Sequence, residues 1–223
     1  AYLCDEATLT INLLAETDYG DAPASYGDIC YTINPGGSSG NPAGIPFGPT
    51  RLGSLIDGDS GSTYSSDADG DDGAGTDDED GVTFVGGNTL QSGTTEQVTL
   101  SWSTNDYDGY IYGWIDFNAD GNFDDPSERI VNGFGVGNGT ANGSAGTHTF
   151  SYSVPNSAVC ARSYARFTIQ SDPTEYGPTG TYCSTGSVHQ DGEVEDYQVN
   201  IVGCTEDCTN NYDDDGDGLV ECD

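Results

Sequence analysis

The chain has 223 residues and carries 38 Asp and Glu against four Arg and no Lys, a formal net charge of −34. That balance excludes a nucleic-acid footprint and an attraction to anionic membrane surfaces. Without lysine there is also no Schiff-base chemistry, no P-loop and no Lys–Asn isopeptide staple.

Strand-like runs recur along the chain, and helical periodicity is nearly absent. In the first run Leu9, Ile11 and Leu13 alternate with Thr10 and Asn12, inside a segment 1–17 read as a separate N-terminal strand. From Tyr19 to about Gly81 the composition turns to Gly, Pro, Ser and Asp, an irregular stretch that ions or disulfides must order. Strands are then expected at Val82–Val85, Gln97–Ser103, Tyr110–Phe117, Arg129–Phe134, Thr147–Val154, Tyr164–Gln170 and Val194–Val202. Val98, Leu100 and Trp102 share one face, and so do Phe150, Tyr152 and Val154. The run Tyr110–Phe117 is apolar on both faces, which marks a central strand with one face in the core and the other under a covering loop. Gly-rich connections such as Gly133 to Gly146 suit hairpins and Greek-key crossings. The expected fold is all-β, a two-sheet antiparallel β-sandwich of Greek-key or jelly-roll type with long Gly/Asp-rich calcium-binding loops. It would span 18–203, with an Asp-rich calcium-binding tail at 204–223.

Two acidic loops have the order of oxygen ligands that Ca²⁺ requires. In IDFNADGNFDDPSE, Asp116, Asn118 and Asp120 recur at alternate positions, Gly121 makes the turn, Asn122 offers its carbonyl, Asp124 follows and Glu128 closes. This is nearly the EF-hand order, except that the closing acid falls at the thirteenth position of the loop instead of the twelfth. In NNYDDDGDGLVECD, Asp213, Asp215 and Asp217 with the Leu219 carbonyl form a second candidate set. Asp77, Asp78, Glu79 and Asp80 form a third acidic cluster. Crowded carboxylates repel one another unless a hard cation offsets them, and an ordinary solvated turn is the alternative reading.

Seven cysteines with this acidity point to an oxidising, calcium-rich, extracellular setting, and no zinc spacing is present. Cys208–Cys222 is expected to clasp the tail and Cys160–Cys183 to bridge neighbouring segments, leaving Cys4, Cys30 and Cys204 unassigned. No apolar run is long enough to span a membrane, and the chain reads as a mature secreted product.

The strings DYGDAPASYG (Asp18 to Gly27), RLGSLIDGD (Arg51 to Asp59), DDEDGV (Asp77 to Val82), GWIDFNADGNFDDPSE (Gly113 to Glu128), ARFTI (Ala165 to Ile169) and GEVEDYQV (Gly192 to Val199) occur in that order. Together they resemble the GEVED domain of large secreted and surface-anchored bacterial proteins, over about Asp18 to Ile201. The resemblance implies a β-rich extracellular module without established catalytic activity, often found beside adhesive or calcium-binding repeats. The tail CTEDCTNNYDDDGDGLVECD separately resembles the Asp-rich repeats of thrombospondin type 3.

Glu193 and Glu195 lie on one face of an expected strand, as the two acids of a retaining β-sandwich glycosidase do. The structural alternative is that Glu193, Glu195 or Asp196 helps bind an ion or holds the acidic loops. Tyr110, Tyr112 and Trp114 would make a sugar-stacking platform if exposed. His148 and His189 have no partner at ligand spacing, and Asn138 and Asn142 satisfy the glycosylation pattern. The expected protein is non-enzymatic, bound to Ca²⁺ and extracellular, a structural or adhesive subunit that polymerises through its N-terminal strand. A module that binds surface glycans is the alternative.

Overall fold

The computed structural model describes residues 16–33, 50–59, 61–70, 77–104, 108–137, 139–171, 177–178 and 191–204. The N-terminal run 9–13, Cys183, Cys208, Cys222, Asn138, His189 and the tail set Asp213, Asp215, Asp217 and Leu219 lie outside them.

Eleven strands are described: β1 Glu16–Tyr19, β2 Cys30–Ile33, β3 Arg51–Leu52, β4 Val82–Phe84, β5 Thr89–Gln91, β6 Thr95–Ser103, β7 Asp108–Ile115, β8 Arg129–Gly137, β9 Ala145–Ser153, β10 Arg162–Gln170 and β11 Gly192–Val202. One sheet has the order β5-β11-β10-β7-β8; in the other, β6 lies between β9 on one side and β3 and β4 on the other. β1 and β2 form a separate hairpin. Among the described strands the ladders are antiparallel except β5 with β11, and an isolated parallel bridge joins Thr32 to Asp191. The seven strands expected after Gly81 are all present within a few residues of their expected ends. The short strands β1, β2, β3 and β5, two to four residues each, carry too little periodicity to be read from sequence.

The sheets face each other across one apolar core. β6 alternates strictly, sending Val98, Leu100 and Trp102 inward to meet Ile111, Ile115, Phe167 and Ile169. β7 is buried on both faces, as its pattern required. Its Ile111 and Ile115 join the inter-sheet core, while Tyr112 and Trp114 join a second cluster with Ala22, Tyr26, Phe123 and Tyr164. The cover of that outer face is the segment around the 3₁₀ turn Ala24–Tyr26.

Cys160 is bonded to Cys204, which replaces the expected Cys160–Cys183 pairing. The register explains it. β10 and β11 run antiparallel with Arg162 opposite Asn200, so Cys160, two residues before β10, comes beside Cys204, two residues after β11. Cys183 belongs to the connection at the other end of that hairpin. Cys30 is disulfide-bonded as well, to a partner outside the described residues.

Candidate functional site

The loop between β7 and β8 is held at both ends by the sheet. The Ile115 N–H donates to the Glu128 carbonyl at 2.9 Å, and Trp114 pairs with Arg129 in the ladder. Phe117 plugs into the inter-sheet core and Phe123 into the outer cluster, so the polar residues between them arch over a fixed base. Successive side-chain oxygens cap the backbone: Asn118 accepts from Asp120 N–H at 3.1 Å, Asp120 from Asn122 at 3.2 Å, and Asn122 from Asp124 at 2.8 Å. Gly121 has φ +85°, a conformation open to glycine at little cost, and its N–H donates to Asp116 Oδ2 at 3.0 Å.

This coil brings Asp116, Asp120 and Glu128 together, with one carboxylate oxygen of each within 4.8 Å of the others. Asp116 and Glu128 are 0% and 1% exposed, and Asp116 Oδ1 and Glu128 Oε1 have no hydrogen-bond partner. The remaining oxygens are satisfied: Asp116 Oδ2 accepts from the Tyr26 hydroxyl at 2.7 Å, and Glu128 Oε2 from Asp125 N–H at 3.1 Å. Burial pushes the Glu128 carboxyl up to about 8; the Asp125 N–H pulls it back down, and the charges of Asp116, Asp125 and Asp120 each add a smaller upward push. Orphaned buried carboxylate oxygens facing a third acid suit a hard cation, and all-oxygen ligation suits Ca²⁺. Asn118 and Asn122 are placed around the same turn, and Asp124 is exposed beside it.

The extra residue before Glu128 does not displace it. An EF-hand loop closes into a helix, whereas this one closes through a turn, Glu128 N–H to Asp125 carbonyl at 3.0 Å, into β8. The turn absorbs the additional position.

In the third cluster, Asp78 is buried and accepts from Asp57 N–H at 2.8 Å, while Asp80 accepts from Ser54 N–H at 2.8 Å. These two acids fasten the segment after β3. Asp77 is exposed and Glu79 half-buried, and the four are not brought together as one ligand set.

The acids of β11 are covered. Glu193 and Glu195 are each 1% exposed; Glu193 Oε2 accepts from Leu52 N–H, and Glu195 accepts from Gly81 N–H at 2.9 Å and the Tyr197 hydroxyl at 3.0 Å. On the opposite face Asp196 takes Arg166 in a two-pronged pair, both contacts 2.7 Å, and accepts Ala22 N–H at 2.9 Å. Tyr112 and Trp114 are buried, which removes the exposed platform their alternation suggested. Beside the loop lies a cleft lined by Trp114, Phe123, Pro126, Arg129 and Asn132.

Residues 110–200 match the family model of the GEVED domain. This part of the chain is similar to the GEVED domain. The match takes in the acidic loop and the GEVED string itself and begins after the three upstream strings, Asp18 to Gly27, Arg51 to Asp59 and Asp77 to Val82. Those strings nevertheless pack on the domain, each giving a backbone N–H to one acid of β11: Ala22 to Asp196, Leu52 to Glu193 and Gly81 to Glu195. No curated protein matches the sequence. Among the described residues no helix is long and apolar enough to cross a membrane.

Proposed function

We propose that this chain is a non-enzymatic extracellular module, folded around Ca²⁺, that serves a structural or adhesive role at a cell surface as the subunit of a fibre. The convergence of Asp116, Asp120 and Glu128 with two orphaned oxygens carries the calcium part of this reading. An exterior setting supplies the cation and the oxidising conditions that a disulfide such as Cys160–Cys204 needs.

The fibre part rests on an open edge. Among the described residues β9 pairs with β6 alone, so the outer side of Ala145–Ser153 presents backbone groups suited to strand addition. The alternating segment 7–15 of a second copy is the strand we assign to such an edge, in a head-to-tail contact that propagates. Electron microscopy of full-length protein in Ca²⁺, compared with protein lacking residues 1–15, tests it. Fibres are expected only from the full-length chain; fibres of normal appearance from the truncated chain would contradict the reading.

A second reading, a carbohydrate-binding module, is favoured by the cleft in which the Arg129 guanidinium lies 5.8 Å from the Trp114 ring centre. A glycan array with wild type and Arg129→Ala tests it. Burial of Glu193 and Glu195 supports the non-enzymatic reading over a glycosidase, and glycan turnover lost in Glu193→Gln would argue the reverse.

A further inference from the structure

The acidic loop and the segment that covers the outer face of β7 meet at three places. Tyr26 of the cover donates its hydroxyl to Asp116 Oδ2 at 2.7 Å, while Asp116 Oδ1 stays buried without a hydrogen-bond partner. The Tyr26 ring lies 4.8 Å from that of Phe123, the residue that the loop plugs into the outer cluster. Gly121, at the turn of the loop, sits directly against Ser25: a Cβ added to it would stand 3.1 Å from the Ser25 Oγ.

Residues 20–27 form a strap with two sets of fastenings. Toward β10 and β11 it is held by Ala22 N–H on Asp196 and by Arg166 on the Tyr26 carbonyl. Its own turn closes locally, with Tyr26 N–H on the Pro23 carbonyl at 2.8 Å and Gly27 N–H on the Ala24 carbonyl at 3.3 Å. Ala22 and Tyr26 pack with Tyr112, Trp114, Phe123 and Tyr164, a cluster apart from the inter-sheet core. The second set of fastenings is the loop itself. Without an ion its three carboxylates, two of them buried, repel one another, and the coil that carries Phe123 loosens. The strap then loses the Asp116 contact and the ring beside Tyr26 together. A short irregular segment with few apolar contacts of its own opens at a lower free energy than the sheets beneath it.

We propose, resting on the calcium reading given above, that Ca²⁺ in the loop latches residues 20–27 down over Tyr112 and Trp114. Ion binding and closure of the strap are then one coupled equilibrium. Tyr26 is the positioning residue: its hydroxyl orients an ion-binding carboxylate from the next shell outward, and its backbone carries the strap. Coupling of this kind is reciprocal, so the factor by which Ca²⁺ favours closure is the factor by which closure favours Ca²⁺. In calcium-poor surroundings the strap opens and uncovers the aromatic outer face of β7, while the sandwich stays folded.

Hydrogen exchange of the full-length protein in Ca²⁺ and in EGTA tests the latch, with peptides covering 20–28 for the strap and 95–103 of β6 for the sandwich. Ca²⁺ should slow exchange in 20–28 about 10-fold more than in 95–103, a usual size for coupled sites. Tyr26→Phe, which keeps the ring and removes the hydroxyl, should erase most of that difference and weaken Ca²⁺ binding by a similar factor in a titration. An equal Ca²⁺ effect on the two peptides, including joint loss of protection in EGTA, would overturn the latch and leave the calcium reading standing. So would the full difference persisting in Tyr26→Phe. Exchange and melting temperature identical in Ca²⁺ and EGTA would sink the calcium reading and the latch together.

Discussion

The Tyr26 hydroxyl donates to Asp116 Oδ2 at 2.7 Å across a sequence separation of 90, so the acidic loop is fastened from outside the span that matches the family. The Tyr26 ring also packs on Phe123 and Tyr164, with centroids 4.8 and 5.0 Å away. One residue thus ties the N-terminal cover to the loop's base and to a buried carboxylate of the acidic cluster.

Tyr26→Phe should keep the ring packing and remove one donor from a buried carboxylate. The expected cost is about 1–3 kcal/mol of stability, with weaker Ca²⁺ binding, because Asp116 loses the contact that orients it. Chemical denaturation and calcium titration of the variant measure both.

The calcium-free protein should lose stability as pH rises. The native Glu128 carboxyl is raised to about 8 by burial and by neighbouring acids, above its ordinary value of 4.5. The native state therefore holds a proton that the unfolded chain releases earlier, and stability falls from about pH 4.5 upward through about pH 8. Glu193 is shifted in the same direction and adds to the fall. Saturating Ca²⁺ replaces the Glu128 proton and should flatten that part of the slope. Melting temperatures at pH 5, 6.5 and 8, with and without EGTA, check the sign.

Arg166 is fully buried, and its guanidinium also donates to the Tyr26 and Pro178 carbonyls at 3.2 and 2.7 Å. Arg166→Met leaves Asp196 charged, buried and without its main partner, and should destabilise the fold by about 3–5 kcal/mol. Pairing it with Asp196→Leu should recover part of that loss. Urea unfolding of the two variants gives the comparison.

Reducing-agent-free peptide mapping should recover Cys160 joined to Cys204. The sequence separation of 44 corresponds to about 4 kcal/mol in the chain-entropy account, so Cys160→Ser should be destabilising by several kcal/mol. Recovery of Cys160 with Cys183 instead would contradict the register of β10 and β11.

The sandwich was legible where alternation was strong. Val98, Leu100 and Trp102 announce a buried face, and a run such as Tyr110–Phe117 cannot place both its faces in water. The spacing of Asp116, Asp120 and Glu128 likewise anticipated their meeting. What sequence could not supply is partnership across distance. The pairing of Cys160 depends on strand register, and the burial of Glu193 and Glu195 depends on Leu52 and Gly81 arriving from elsewhere in the chain. The two-residue alternation of those glutamates fits a catalytic pair and a pair that holds the covering segments equally; only their cover separates the readings.

Thermal unfolding of wild type and Asp120→Ala in Ca²⁺, Mg²⁺ and EGTA shows whether Ca²⁺ at Asp116, Asp120 and Glu128 is the folding ligand proposed above. A site filled at 100 times its dissociation constant adds about 2.7 kcal/mol, or roughly 5–10 °C in a chain of this size. The account predicts that rise in Ca²⁺ but little of it in Mg²⁺, which is smaller and dehydrates reluctantly, and a reduced rise in Asp120→Ala. Equal melting temperatures in Ca²⁺ and EGTA, or a full wild-type rise in Asp120→Ala, would contradict it.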